Sequence, residues 1–565
     1  MFPSTVTEQR SSTEATSTRK KPSSVTGNNE ENDTPPDTSL LPPAPNYLSG
    51  FSLFIVITSV ILVIWLLFLD GSIIVTAIPS ITDEFHSIQD IGWYGSAYQV
   101  TNAALQPLTG KIYRYFSSKW CFFAFLVLFE IGSLICGAAP SSMVLILGRV
   151  VTGTGSSGLL TGGLTIIAGS VPLEKRPGTS IFMIHWKRFR PSPRGSYNSV
   201  QFLEMGRDQT NQRRVPKVFY INLPLGGLVL IFVAWCNIPD QVPKPNPMEV
   251  IPKLHIYLDF VGFLLSAAAA VMFLTALELG GNQYSFSNPI VMGIFCGSAV
   301  ALCAFLVWNY RMGDDGLIPP SMAGKRPVWC AAATIFTFIG SAMVHVYLLP
   351  LYFQAILGRS PAQSGIDILP GVVSQLAFAY GGGILVGKTG YYLPWAVGGT
   401  AVMVIASGLL TTLTTTTPVA QWIGYQILVG AGRGVVLQLP SIATQANLPP
   451  EQISMGLSFV TFSQFMGSAV ALAIGNVVFI SALKQDLPRY SPNVNVTAVL
   501  EAGATAFRKV VSEDELPGVL RAFVSSIDKE FYFALGLAVA CFCFSWGIGW
   551  KDVRSKKPVQ PDSGP

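Results

Sequence analysis

Residues 51–80 read FSLFIVITSVILVIWLLFLDGSIIVTAIPS, and Asp70 is the sole ionisable side chain among them. A helix of about 20 apolar residues crosses the hydrocarbon core of a bilayer. The run 52–79 exceeds that length, so it reads as a membrane span. Twelve more runs follow the same pattern, at 91–110, 120–139, 143–170, 219–239, 257–279, 289–309, 327–355, 364–388, 393–413, 418–446, 453–482 and 531–550. Short connections join most of them, which predicts a packed bundle. Gly153, Gly155, Gly158, Gly162 and Gly163 within one run would let helices approach closely.

Composition agrees. Half of the 565 residues are hydrophobic and only 12% are charged, with a mean hydropathy of +0.47. A soluble chain of this length needs more charge to cover its surface. The net charge of +5 is scattered. No basic stripe with interleaved aromatics appears, which excludes nucleic acid as the expected partner. Cys121, Cys136, Cys296, Cys303 and Cys541 sit in apolar runs without metal-ligand spacing and read as packing residues. No metal and no cofactor are expected. Residues 1–46 are rich in Ser, Thr, Pro, Asn and Glu. They carry no charged segment followed by a short apolar core, and read as a disordered cytosolic tail rather than a signal peptide.

Lys and Arg in short loops set the orientation. Lys111, Arg114 and Lys119 follow the second run, Lys175 and Arg176 the fourth, and Lys551, Arg554, Lys556 and Lys557 close the chain, whereas loops near 80–90, 140 and 280–288 carry neither. Both termini are expected in the cytosol. The loop 483–530 is expected outside, where Asn495-Val496-Thr497 is a candidate glycosylation acceptor. Two cytosolic ends demand an even number of crossings, and thirteen runs are present. The missing one belongs in 179–218. That stretch instead carries Lys187, Arg188, Arg190, Arg194, Arg207, Arg213, Arg214 and Lys217 against Glu204 and Asp208. Each Arg or Lys at a helix centre costs about 2.5–3.5 kcal/mol on insertion scales, so no window of 179–218 is expected to insert.

Ionisable groups in hydrocarbon are costly and mark function. Asp70 reads either as a proton carrier or as a group ordering the bundle. Arg149, in Leu147-Gly148-Arg149, reads as part of proton coupling or as half of a static ion pair. Arg433, in Gly430-Ala431-Gly432-Arg433-Gly434, echoes it and suggests two parallel halves. Glu130, Asp259, Glu278, His345 and Asp367 are further candidates for a substrate or ion pathway. For Asp259 and Glu278 the plain alternative is reaching the interface, and for His345 it is packing. The turn Gly110, Lys111, Arg114, Lys119 reads as a gate between halves or as a positive-inside anchor. No phosphate-binding Gly-x-x-x-x-Gly-Lys-[Ser/Thr] motif occurs, so an ion gradient is the expected energy source. No His-Glu-x-x-His and no nucleophile elbow point to an enzyme.

These residues resemble the major facilitator superfamily, in particular the fungal branch of fourteen-helix drug:proton antiporters. The resemblance rests on Leu69-Asp70 with Ala77-Ile78-Pro79, on Gly110–Lys119, on Leu147-Gly148-Arg149 with Gly153-Thr154-Gly155, and on Tyr220-Ile221-Asn222-Leu223-Pro224. Leu258-Asp259-Phe260 and Leu279-Gly280-Gly281-Asn282 add to it. It implies an all-α fold of two six-helix bundles with two inserted central helices. The N-terminal bundle would be 47–239, the linking helices 240–326, the C-terminal bundle 327–550, and 551–565 a cytosolic tail. It implies a monomer in the cell membrane, or alternatively the vacuolar membrane, exporting an amphipathic fungal metabolite or toxin in exchange for protons. Asp70 and Arg149 would couple the protons. An importer of siderophores or amino acids would use the same scaffold. The antiporter motif Gly-Pro-Gly-Gly, expected in the fifth crossing, is replaced by Pro191-Ser192-Pro193-Arg194-Gly195. The segment 179–218 therefore reads as a retained intron, a frameshifted exon or a lesion, or alternatively as a real variant with a non-spanning segment, and the rival to transport is a non-transporting relic or sensor.

Overall fold

The computed structural model describes residues 48–85, 91–173, 176, 219–220, 222–240, 242–282 and 284–554, all within one compact unit spanning 46–565. The tail at 1–46, the anomalous segment 179–218 and residues 555–565 lie outside the described residues. Apart from one isolated bridge between Tyr391 and Asp552, the described elements are helices.

Each of the thirteen apolar runs contains a helix. The N-terminal half holds α1 (Gly50–Phe85), α2 (Ile91–Tyr115), α3 (Ser118–Gly137), α4 (Ser142–Ser170) and α5 (Asn222–Trp235). Two linking helices follow, α6 (Phe260–Asn282) and α7 (Pro289–Met312). The C-terminal half holds α8 (Arg326–Leu351), α9 (Pro361–Thr389), α10 (Leu393–Leu410), α11 (Val419–Val436), α12 (Leu439–Asn447), α13 (Ile453–Tyr490), α14 (Val496–Ala506) and α15 (Leu516–Ser545). Ten helical stretches are long and apolar enough to cross a membrane. The remaining three are α2, α5 and α15. Helix α5 is short, while α2 and α15 carry buried polar side chains, which the packing below accounts for.

Helix boundaries follow local chemistry. Asn288 accepts the Ile290 amide at 2.9 Å ahead of Pro289, and Ser360 accepts the Gln363 amide ahead of Pro361. Both supply a cap and then a proline, whose missing N–H costs nothing at a helix start. Gly390 ends α9 in the left-handed region at φ 79°. Within the N-terminal half, small residues set the spacing of α3 and α4: a Cβ at Gly132 would lie 2.4 Å from the Thr152 amide nitrogen.

The stretch 483–530, expected as a loop, is mostly helical. Helix α13 runs to Tyr490 and α15 begins at Leu516. At 1.5 Å per residue α13 is about 57 Å long, well beyond a bilayer core of about 30 Å. The overhang is packed rather than loose. Val499, Phe507, Val519 and Phe523 join Tyr352 and Phe353 in one buried cluster. Arg508 donates to the carbonyls of Ala355 (2.8 Å) and Ile356 (2.9 Å), closing the helical turn Tyr352–Ile356 that continues α8. Lys529 pairs with Asp486 at 2.8 Å, joining α15 to α13. A hydropathy reading stops at such charges because it cannot see that they have partners.

The two halves meet where α2 and α4 pack on α13, with α6 also against α2 and α13. At the end bearing the basic loops, Ala168 and Leu164 share a cluster with Met322, Leu448, Ile453 and Met455.

Candidate functional site

Five helices of the N-terminal half converge on Asp70. Arg149 Nη1 on α4 lies 2.5 Å from Asp70 Oδ2 on α1, and both side chains are buried to within 1%. Arg149 Nε donates to the Tyr94 carbonyl at 3.0 Å, and the guanidinium sits 4.5 Å above the Tyr98 ring on α2. Asn222 on α5 donates to Asp70 Oδ1 (3.3 Å) and is also 3.2 Å from Ser133 Oγ on α3. A buried charge pair survives only when further hydrogen bonds satisfy it. Here a carbonyl, an aromatic face and an amide do so.

From this pair a buried hydrogen-bonded ladder runs between α2 and α4. Tyr98 shares a 2.6 Å bond with Ser156, and Asn102 donates to Ser156 at 2.7 Å. Gln106 donates to Asn102 at 3.0 Å and accepts from Thr161 at 2.8 Å. Thr109 then bonds the Gln106 carbonyl at 2.8 Å. The Gln106 carbonyl also accepts from Ser458 on α13, so the ladder ends on the seam between halves.

The segment 110–119, expected as a turn, is instead the end of α2 and the start of α3 joined through Phe116 and Ser117, and it sits at that end of the seam. A Cβ at Gly110 would lie 2.7 Å from Ser458 Cβ, so glycine permits the contact of α2 with α13. Lys111 is buried and donates to the Asp315 carbonyl at 2.5 Å. Arg114 reaches Met455 Sδ at 3.6 Å, and Lys119 caps the end of α5 through the Ala234 carbonyl at 2.8 Å. Lys244 caps α2 through the carbonyls of Tyr113 (2.7 Å) and Arg114 (3.2 Å). Burial pushes the Lys244 ammonium below its ordinary range, against the pull of Asp240. Arg176 bonds Gln445 Oε1 at 2.8 Å, a further tie across the halves.

The other candidates divide. Glu130 on α3 is buried with neither carboxyl oxygen partnered among the described residues, and it fills the space that a Cβ at Gly226 of α5 would need. Asp259 is a structural hub. Its carboxylate accepts from Trp308 Nε1 (2.8 Å), Leu317 N (2.8 Å) and Gly262 N (3.0 Å), and its own backbone holds φ 49°. Glu278 is half-buried within electrostatic reach of Tyr347. Asp367 pairs with Arg359 at 3.5 Å and accepts from Gln363 at 3.2 Å. His345 of α8 and Arg433 of α11 lie within electrostatic reach of each other in the C-terminal half, over consecutive carbonyls of α8: His345 Nδ1 is 2.6 Å from the Ser341 carbonyl and Arg433 Nη2 3.2 Å from that of Ala342. Asn495 is exposed and accepts the Ala498 amide at 3.2 Å as the cap of α14.

Sequence reasoning missed the ladder residues Tyr98, Asn102, Gln106, Ser156 and Thr161. It also missed Glu530 of α15, whose carboxyl occupies the space a Cβ at Gly475 would need. The available signal was the repeated four-residue spacing of polar side chains in 91–110, which places Tyr98, Asn102 and Gln106 on one helix face.

Comparison with known proteins agrees with this architecture. The Major Facilitator Superfamily profile matches residues 60–185. The chain is 45% identical over 515 residues to the MFS-type transporter pigP of Monascus ruber, covering 91% of this chain and 89% of that one. It is 42% identical over 522 residues to the efflux pump mlcE of Penicillium citrinum, covering 91% and 93%. Its fold is similar to that of the proton:xylose symporter XylE bound to 6-bromo-6-deoxy-D-glucose, with a TM-score of 0.56 at 14% identity, covering 89% and 97%. With the helices of each half in sequence and the charge pair buried between its first and fourth crossings, the chain belongs to the major facilitator superfamily, beside fungal transporters and efflux pumps.

Proposed function

We propose that this protein is a proton-coupled exporter of small amphipathic molecules, of the kind made as fungal secondary metabolites or toxins, acting as a monomer in the cell membrane. The observation that carries the reading is the buried Asp70–Arg149 pair, linked through the α2–α4 ladder to the α13 seam. A proton reaching Asp70 cancels the charge that holds Arg149. The guanidinium then keeps only the Tyr94 carbonyl and the Tyr98 face. Tyr98 begins the ladder, so loss of the pair is felt at Gln106, where α2 grips Ser458. Protonation in the N-terminal half thereby biases a contact between halves, which is what coupling to alternating access requires. Export, rather than import, is favoured by relatives that are themselves named efflux pumps.

The test is transport in proteoliposomes with an imposed pH gradient, using candidate amphipathic metabolites. Substrate movement opposite to protons, lost in Asp70→Asn, supports the reading. Uptake in the same direction as protons would establish the importer instead. The basic composition of 179–218 favours a second reading, a chain without transport, and it predicts no movement under either gradient.

A further inference from the structure

Arg433 is a buried cation without a carboxylate. Among the described residues it makes no ion pair; Nη2 rests on the Ala342 carbonyl and Nε has no partner. Within electrostatic reach of it His345 is fully buried, and its Nε2 also has no partner among the described residues. A carbonyl can only accept, so the 2.6 Å contact with Ser341 O places the proton on Nδ1. Nε2 is then a bare acceptor. Two unsatisfied groups of opposite hydrogen-bonding sense, one donor and one acceptor, lie over consecutive carbonyls of α8. Burial without partners is unfavourable for both, and most of all for the guanidinium.

The N-terminal half shows what is missing. There the arginine of the fourth crossing, Arg149, meets a carboxylate from the first crossing, Asp70. In the C-terminal half the arginine of the fourth crossing, Arg433 on α11, has an imidazole from the first crossing, α8, within electrostatic reach. The acids on α15 do not fill the gap. Phe531 faces His345, with ring centroids 5.7 Å apart. Glu530 turns to Gly475 on α13, Lys529 holds Asp486, and Asp528 makes no ion pair among the described residues. Phe338, Met403, Val436 and Val460 form apolar packing between these helices.

We infer that Arg433 and His345 form the subsite for a carboxylic-acid group on the transported molecule, a deepening that rests on the exporter reading above. Arg433 Nε–H donates to the acid's carbonyl oxygen, and the acid's O–H donates to His345 Nε2. If the proton crosses to Nε2, the acid becomes a carboxylate held between an imidazolium and the guanidinium. No other atom moves and no charge is created overall. An ester offers the carbonyl but no O–H and no charge, so the site discriminates against it.

The probe is tritiated 1-pyrenebutyric acid bound to the purified full chain in a scintillation proximity assay. Unlabelled acid and its methyl ester compete. The wild type is expected to prefer the acid by about tenfold, the scale of one charge-assisted hydrogen bond. Arg433→Gln and His345→Gln are expected to remove the preference, with thermal unfolding checked for each. Equal competition by acid and ester in the wild type overturns the inference whether or not the variants fold. So does a preference retained in folded Arg433→Gln, or competition by chloride as strong as by the acid. Acid-selective binding without transport in proteoliposomes would remove the exporter reading and leave the subsite standing.

Discussion

Replacing Asp70 by asparagine removes the one negative charge that Arg149 touches, and replacing Arg149 by glutamine does the reverse. The two losses differ in kind. A guanidinium cannot shed its proton at any working pH, so Asp70→Asn leaves a buried cation with one carbonyl and one aromatic face. Breaking a buried pair this way costs about 3–5 kcal/mol. An orphaned carboxyl in Arg149→Gln can instead neutralise itself by taking up a proton. From a reference value of about 3.9, that uptake costs about 4 kcal/mol at pH 7 and about 1.5 kcal/mol at pH 5. The neutral acid then keeps Asn222 as a partner. The penalty of Arg149→Gln is therefore expected to shrink by about 2–3 kcal/mol between pH 7 and pH 5, while that of Asp70→Asn stays constant. The double variant buries no charge and is expected to lose less than the sum of the singles. Thermal unfolding of the purified variants, followed by tryptophan fluorescence at the two pH values, reads all three. An Arg149→Gln penalty that does not change with pH, or additive losses in the double variant, would refute the reasoning.

Three other expectations follow from single contacts. Gly110→Ala places a Cβ 2.7 Å from Ser458 Cβ, an overpacking of about 1–3 kcal/mol felt only where α2 and α13 touch; the seam opens, and a cysteine at Met455 reacts faster with maleimide from the cytosolic side, whereas an unchanged rate would mean that this contact does not gate. Glu130→Met removes two unpartnered carboxyl oxygens from a buried site and is expected to raise the unfolding temperature by a few degrees; a fall would show that the carboxyl is satisfied in the working protein. Sequencing the transcript across codons 178–218 separates a chain with a true fifth crossing from the basic segment as written: an apolar span carrying Gly-Pro-Gly-Gly restores the expected even number of crossings, and Lys187 to Lys217 unchanged predicts no proton-linked transport.

The sequence by itself determined where the helices lie and where their cost is concentrated. A run such as 51–80 must bury its backbone polar groups in a helix if it enters lipid, and a lone Asp70 or Arg149 within such runs stands out because hydrocarbon tolerates it only with a partner. That reasoning is local and needs no fold. Tertiary structure alone decided which partner each charge has. Asp70 found Arg149 across 79 residues, Asp259 spent its carboxylate on three N–H groups, and Arg433 and His345 came together with no acid between them. It also decided that 483–530 is a packed cap, since the buried Asp486 carboxylate is satisfied there by Lys529 of α15. Hydropathy sums the cost of each residue alone, whereas burial of a charge depends on the side chains of other helices, and those are fixed only when the bundle closes.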